Sequence, residues 1–507
     1  MNALAPVTRM LRPRRVTRFV DRPIETQRLV LEQILKRAEL TTYGRDNGFA
    51  SIRNTSDVAK AFRERVPLQS YDDLRPYVEL TRAGEKDVLW PGLVSRFAVS
   101  SGTASSGKHI PASTEMLQTI RRCGLEVLQS YIAASGHYDI MLGRLLAVSG
   151  RTDPDAENGN AIIGEMSGLV RTAAPLWLTR FWQAVPDSIA EIRNWDTKLA
   201  SIAAATASED VRAIAMVPSW AVSLFNKLLR TGGLEGPNSI GELWPNLRVF
   251  FSSGVPLSSY RNLLDRYLDK SGVHYLELYT ASEGFFAFQD RLGADDMLLH
   301  LDSGVYYEFV PCEDLGVPSP TRLPLADVEC GRRYALYVTT CAGLFAYAMR
   351  DLVEFTSTSP HRIRVVGRTT EMLDNYGEAL FADEAREALG LASSLHGANV
   401  AHCHVSSVEP NDSDKLPRHE WLIEFVNEPD DCEAFRNTLD ALICTANRHY
   451  EIRRQARSLH QLRMVALPRG TFDRWLRRAR KSVGAQTKVP FMSQNRTIAS
   501  EILASCE

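Results

Sequence analysis

At 507 residues, with 44% hydrophobic side chains, the chain is long enough for two or more domains and can bury a large core, which excludes wholesale disorder. A formal net charge of −2 gives no general attraction to nucleic acid or to an anionic membrane, and no apolar run approaches the ~20 residues of a membrane span. The eight cysteines form no CxxC pair and show no zinc-ribbon spacing, so they read as reduced thiols of a cytoplasmic protein.

Arg9, Arg12, Arg14, Arg15 and Arg18 precede no apolar core and read as a basic arm, not an export signal. Val20 to Leu40, with Leu29, Leu31, Ile34 and Leu35, has the spacing of an amphipathic helix. Val66 to Leu74 reads as a loop entering a helix, and the run Leu93 to Val99 leads into the hydroxyl-rich stretch Ser100 to Lys108. Leu117, Ile120, Val127, Leu128 and Tyr131 then predict a helix capped by Ser113 or Thr114. Residues 150–165, with Gly150, Asp153, Pro154, Asp155, Gly159 and Gly164, have the composition of a loop. Leu247–Phe251 and Val273–Tyr279 predict buried strands, the first followed by Ser252-Ser253-Gly254-Val255 and the second by Thr280 to Gly284. Tyr334–Thr340 and Leu344–Met349 predict paired strands around Gly343, with Asp351 straight after them. Composition shifts near Val366-Gly367-Arg368. Beyond it lie a helix (Ala382–Leu391), a strand (Trp421–Val426), a helix carrying Phe435, Leu439 and Ile443, a strand (Leu462–Leu467), a basic helix and a loop with Lys488. This is a separate α+β unit.

Ser100 to Lys108 combines hydroxyls, two glycines and a cation, which suits an oxyanion: backbone N–H groups and hydroxyls donate to phosphate oxygens and the lysine adds charge. Gly102 to Lys108 also fits the P-loop pattern, except that His109 stands where Ser or Thr should hold magnesium. Three strand ends could complete a nucleotide site, because ligands of open α/β sheets sit beyond the carboxyl ends of strands. Ser253 and Gly254 are small enough for a base to lie against backbone. Tyr279 could stack on it, Glu283 could hold magnesium, and Asp351 could accept from ribose hydroxyls. His402 and His404, two apart on a predicted strand, face one side and could begin a metal site, but no third ligand is evident. Arg474, Arg477, Arg478, Arg480 and Lys481 read as a solvated helix face.

The same residues carry a resemblance. Ser100-Ser101-Gly102-Thr103 with Lys108-His109-Ile110-Pro111 resembles the phosphate-loop motif of the GH3 family of acyl acid–amido synthetases, within the acyl-adenylate-forming, firefly luciferase-like superfamily. Tyr71 to Tyr77 and Leu89 to Gly92 are similar to the family's lead-in, Tyr279 to Phe286 to its second motif and Gly343 to Asp351 to its third. Val366-Gly367-Arg368 with Gly377-Glu378 is similar to the hinge segment, and His419 to Phe425 with Gln486 to Pro490 to the small domain. The resemblance implies an α/β adenylate-forming fold: a large N-terminal domain of sheets or a β-barrel with flanking helices (1–368), and a small mobile C-terminal α+β domain (369–507).

It implies ATP and Mg2+, and a carboxylic acid activated as acyl-adenylate and passed to an amine or amino acid, by a cytoplasmic monomer that binds neither nucleic acid nor membrane. Ser100, Ser101, Gly102 and Thr103 are then expected to bind phosphate, and Ser253, Gly254 and Val255 to meet adenine. Tyr279, Thr280, Ala281 and Ser282 line the nucleotide, Glu283 holds the metal, Asp351 binds ribose, and Lys488 bridges carboxylate and α-phosphate. Trp177, Phe181 and Trp182 could form an apolar wall for the acid. The family's third motif has Arg where this chain has Ala346 and Gly where it has Arg350, and Phe491 replaces an Arg near Lys488. If 346 and 350 share a strand face, Arg350 supplies the missing charge as a catalytic residue. A coenzyme A ligase, a P-loop NTPase or phosphotransferase, and an inactive binding protein stay open as alternatives.

Overall fold

The computed structural model describes residues 14–100, 108–158, 161–174, 182–230, 237–254, 257, 260–268, 272–369, 371–378, 380–410, 416–479 and 489–506. The chain divides into two compact units, Met1–Met349 with Glu354–Arg364, and Arg350–Val353 with Val365–Glu507.

The first unit opens with α1 (Arg14–Asp21) and α2 (Pro23–Ala38). The single helix predicted over Val20–Leu40 is thus broken, because Pro23 starts a new helix where its missing N–H costs nothing. Helix α3 (Tyr71–Arg82) begins with a reciprocal capping box between Ser70 and Asp73. Strand β1 (Arg96–Ser100) pairs antiparallel with β2 (Lys108–Pro111), and Ser113 caps the long helix α4 (Thr114–Ser135).

Ten strands form the main sheet. In chain order they are β3 (Arg144–Ala147), β6 (Val211–Met216), β7 (Val249–Ser253), β8 (His274–Ala281), β9 (Gly284–Phe288), β10 (Met297–Leu299), β11 (Val305–Pro311), β12 (Arg333–Thr340), β13 (Tyr347–Thr358) and β14 (His361–Arg368). Their spatial order is β11-β12-β13-β14-β10-β9-β8-β7-β6-β3. From β3 to β8 neighbours run parallel, and at β8–β9 the sheet turns antiparallel. Parallel strands bury both faces and so read as continuous apolar runs. In β7, Phe250 enters a core with Phe225 and Trp244, while Phe251 lies on the ring of Tyr131 from α4, 6.0 Å between centroids.

Two expectations fail here. Residues 150–165 are not all loop: β4 (Thr152–Pro154) and β5 (Ile162–Gly164) extend the β1–β2 sheet. Gly164 is required there, since a side chain would come within 2.5 Å of the Arg151 carbonyl oxygen. The strand expected over Leu344–Met349 begins only at Tyr347 and runs on to Thr358, because Ala346 takes a left-handed φ of +44° that breaks the extended backbone.

The second unit carries a four-stranded sheet, with β17 (Asn399–Val408), β18 (Arg418–Asn427), β19 (Arg463–Leu467) and β20 (Met492–Ser493) in the order β19-β18-β17-β20. The short hairpin β15 (Met372–Leu373) and β16 (Leu380–Phe381) precedes it. One face packs Trp421, Ile423 and Phe425 with Phe435, Leu439 and Ile443, and the other packs Leu422 with Phe472, Trp475 and Ile502.

Candidate active site

Strands β1 and β2 are joined by residues 101–107, with Ser100 opposite Lys108 in the ladder. In a P-loop the Gly-Lys pair opens a helix, whose N-terminus holds the phosphates. Here Lys108 starts a strand and the helix waits until Thr114, so the P-loop NTPase alternative does not fit this backbone. Ser101, Gly102 and Thr103 lie outside the described residues, as do Val255, Lys488, Trp177 and Phe181.

Around Lys108 the structure places two tyrosines that sequence reasoning gave no role. Its ammonium lies 5.5 Å from the Tyr71 ring centroid and 5.8 Å from that of Tyr347, and donates to the Tyr347 hydroxyl at 3.3 Å. The backbone N–H of His109 donates to the Tyr71 hydroxyl at 2.9 Å. Burial pushes the Tyr71 hydroxyl above its ordinary pKa, and burial together with Arg82 pulls His109 below its own.

The carboxyl ends of β7 and β8 lie side by side, with Ser252 opposite Glu277 and Ser253 opposite Leu278. Gly254 takes φ +84°, which favours glycine, as the chain leaves the strand. The Glu277 carboxylate accepts from the Leu257 N–H at 2.6 Å and so pins the chain after β7; burial raises its pKa. Tyr279, Thr280 and Ala281 end β8, and Ser282 and Glu283 form the two-residue turn to β9, whose Ala281 and Gly284 pair. The Tyr279 ring rests on Phe286 at 5.0 Å and is buried. Met116, in the first turn of α4, packs 3.6 Å from where a side chain at Gly284 would start. Ser253, Gly254 and Tyr279 to Glu283 are therefore brought together at the carboxyl ends of two adjacent inner strands, and the helix that follows β2 begins against their turn. Glu283 fits a magnesium ligand in kind, since it is a half-buried carboxylate residue on a tight turn and Mg2+ is held by one or two carboxylates plus phosphates.

Asp351 belongs to the second unit, where Arg368 meets its carboxylate at 3.1 Å. Arg350 is exposed, with φ +63°, and its carbonyl accepts from the Thr369 N–H at 2.9 Å. The same-face argument for Arg350 does not hold, because Ala346 is outside the strand and the left-handed backbone at both positions breaks strand alternation. Phe491, read as a missing cation, is a core residue: it packs on Trp421, and the Arg386 guanidinium stacks 4.4 Å from its ring centroid. The histidines expected to share a face are used for packing. His402 lies on Phe472, and His404 donates through Nδ1 to the Pro490 carbonyl at 2.7 Å. Arg474 and Arg478 of the basic helix donate to the Ser505 and Ala504 carbonyls.

A buried cluster escaped the sequence reading. The His300 ring meets Glu126 through Nε2 at 2.7 Å, with Cys123 beside them. Burial opposes the charge on His300, but Cys123 and Glu126 outweigh it and hold the imidazole up at about 9. The Cys-x-x-Glu spacing on a predicted helix was the only signal available. Among the described residues no helix is long and apolar enough to cross a membrane.

Three models of one family match in order: the GH3 family N-terminal domain over residues 12–193, its central domain over 298–368 and its C-terminal domain over 383–497. The chain is 25% identical over 475 residues to an indole-3-acetic acid-amido synthetase, GH3.8, of Oryza sativa subsp. indica, an alignment that takes in 76% of this chain and 74% of that one. It superposes on AtGH3.15 acyl acid amido synthetase in complex with 2,4-DB with a TM-score of 0.75 at 19% identity, covering 99% of this chain and 96% of that one. It also superposes on 2-hydroxyisobutyryl-CoA ligase in the postadenylation state, in complex with 2-HIB-AMP, with a TM-score of 0.59 at 16% identity, covering 95% and 92%. The fold is that of the adenylate-forming enzymes.

Proposed function

The chain belongs to the GH3 family, and from that premise we propose that it is an ATP-dependent acyl acid–amido synthetase: it activates a carboxylic acid as acyl-adenylate, releasing pyrophosphate, and passes the acyl group to an amine or amino acid, releasing AMP. A carboxylate and an amine at neutral pH form a salt, so the acyl carbon first needs a leaving group. Attack of carboxylate on the α-phosphorus brings two anions together, and cations and N–H donors must offset that charge.

The observation that supports this reading is the pair of adjacent strand ends where Ser253, Gly254 and the Tyr279-to-Glu283 turn meet. A base fits against the small residues at 253 and 254 and, beyond them, Val255. Tyr279, Thr280, Ala281 and Ser282 line the nucleotide. Glu283 would hold Mg2+, which supplies charge neutralisation at the phosphates. Ser100, Ser101, Gly102 and Thr103 take the phosphates, Asp351, oriented by Arg368, takes the ribose hydroxyls, and Lys488 offsets charge in the first step. Residues 1–368 act as the nucleotide- and acid-binding domain and 369–507 as a mobile domain, in a cytoplasmic monomer that takes small-molecule substrates.

The test is a panel of carboxylic acids with ATP and Mg2+, followed by an amine panel read by mass spectrometry, with nucleotide products separated by chromatography. AMP with an amide product supports the reading. ADP and phosphate would end it, and a thioester formed only with coenzyme A would move the protein to the acyl-CoA ligases.

A further inference from the structure

Lys108 carries its charge on a flexible stem, and a lysine without support would lose rotamer entropy on meeting a phosphate. The structure limits that freedom with two aromatic walls built from distant segments. Tyr71 is the first residue of α3, and the Ser70–Asp73 capping box fixes the backbone that carries it. Gln69 bridges the chain around Tyr347 in parallel: its N–H donates to the Ala346 carbonyl at 2.9 Å, and the Ala348 N–H donates to its own carbonyl at 2.8 Å. That pairing sets Tyr71 and Tyr347 near each other. Both rings lie within the ~6 Å reach of a cation–π contact with the Lys108 ammonium. The Tyr71 hydroxyl also accepts from the N–H of His109, so its ring is tied to the strand that carries the lysine. A second cation, Arg75, lies 5.6 Å from the Tyr71 centroid and is ion-paired with Asp72.

We propose that Tyr71 and Tyr347 are positioning residues that aim the Lys108 ammonium, opposite Ser100, at the phosphates of a nucleoside triphosphate. The inference rests on the adenylating reading above and extends it to two residues that touch no substrate.

The experiment is a double-mutant cycle on the full chain, with MgATP affinity read by calorimetry and folding by thermal melting. Lys108→Ala is expected to weaken MgATP binding, and Tyr71→Leu to weaken it roughly tenfold, the scale of one or two cation–π contacts. Because Tyr71 acts through Lys108, the double variant should bind no worse than Lys108→Ala alone. Additive losses, or full affinity in Tyr71→Leu, would overturn the proposal. Should Tyr71→Leu fail to fold, Tyr71→Phe and Tyr347→Phe carry the test, since both keep the ring. A two- to fivefold loss that disappears in the Lys108→Ala background supports positioning, and full affinity in both variants, or a loss that persists there, overturns it. A wild-type chain that binds no MgATP ends the adenylating reading and this inference together, whereas binding with additive losses ends this inference alone.

Discussion

The two units contribute different things to the proposed reaction. The first unit holds the small residues at the end of β7, the buried Tyr279 and the tight turn before β9, all on adjoining strands. The second spans Asp351 and Lys488, the charged residues that the proposed reading assigns to the ribose and to the first step. Two of the three departures from the family's pattern, Arg350 and Phe491, also fall in the second unit, and the structure gives a physical setting for each. Phe491 is filled-in core. Arg350 holds a left-handed backbone where the family's glycine would sit without strain. The lesson is that a missing cation cannot be scored from a motif alone, because some motif positions are set by backbone geometry or packing.

The largest test of this division is Lys488→Ala. Removing one charge-stabilising group from a transition state costs about 10²–10³ in rate. Acid-dependent pyrophosphate exchange should fall by that factor, while amide formation from a supplied acyl-adenylate stays near normal. Equal losses in both half-reactions would point to a general structural defect. Next in size is Asp351→Ala, which removes a charged acceptor from ribose hydroxyls and should weaken ATP binding by about 1.5–3 kcal/mol. Unchanged calorimetric affinity in a folded variant would remove Asp351 from the site.

Arg350→Gly tests the strain. A non-glycine residue at φ +63° costs about 1–2 kcal/mol, so the variant should be more resistant to denaturant by about 1 kcal/mol. A loss of stability would refute the strain.

A pH-dependent effect lies in the first unit's core. The folded state raises the pKa of His300 from about 6.5 to about 9, so the stabilisation it brings is fully present below about pH 6.5 and is lost as pH rises through about 9. The melting temperature should therefore decline between those values, and His300→Gln should flatten that part of the profile. An unchanged slope in the variant would assign the decline to other groups.

Much of this was legible in local sequence. Helix α4 announces itself through Ser113 ahead of 3.6-residue periodicity, α3 through the loop from Val66 that enters it, and β7 and β8 through apolar runs ended by small residues. Strands β4 and β5 were misread because three residues rich in Asp, Pro and Gly carry no alternation; their order comes from pairing with β1, not from propensity. The contacts around Lys108 were out of reach for a different reason. Tyr347 is 239 residues away, and His300 is 174 from Glu126, so no spacing rule connects them. The Arg350 argument failed because period-2 alternation was applied across two left-handed residues, which sequence gives no sign of when neither is glycine.

The central claim, that the chain makes an acyl-adenylate, is tested most directly by isotope exchange between labelled pyrophosphate and ATP. The account predicts exchange that requires a carboxylic acid and Mg2+ and proceeds with no amine present. Amide formation that proceeds without any such exchange, with ADP as the nucleotide product, would contradict it.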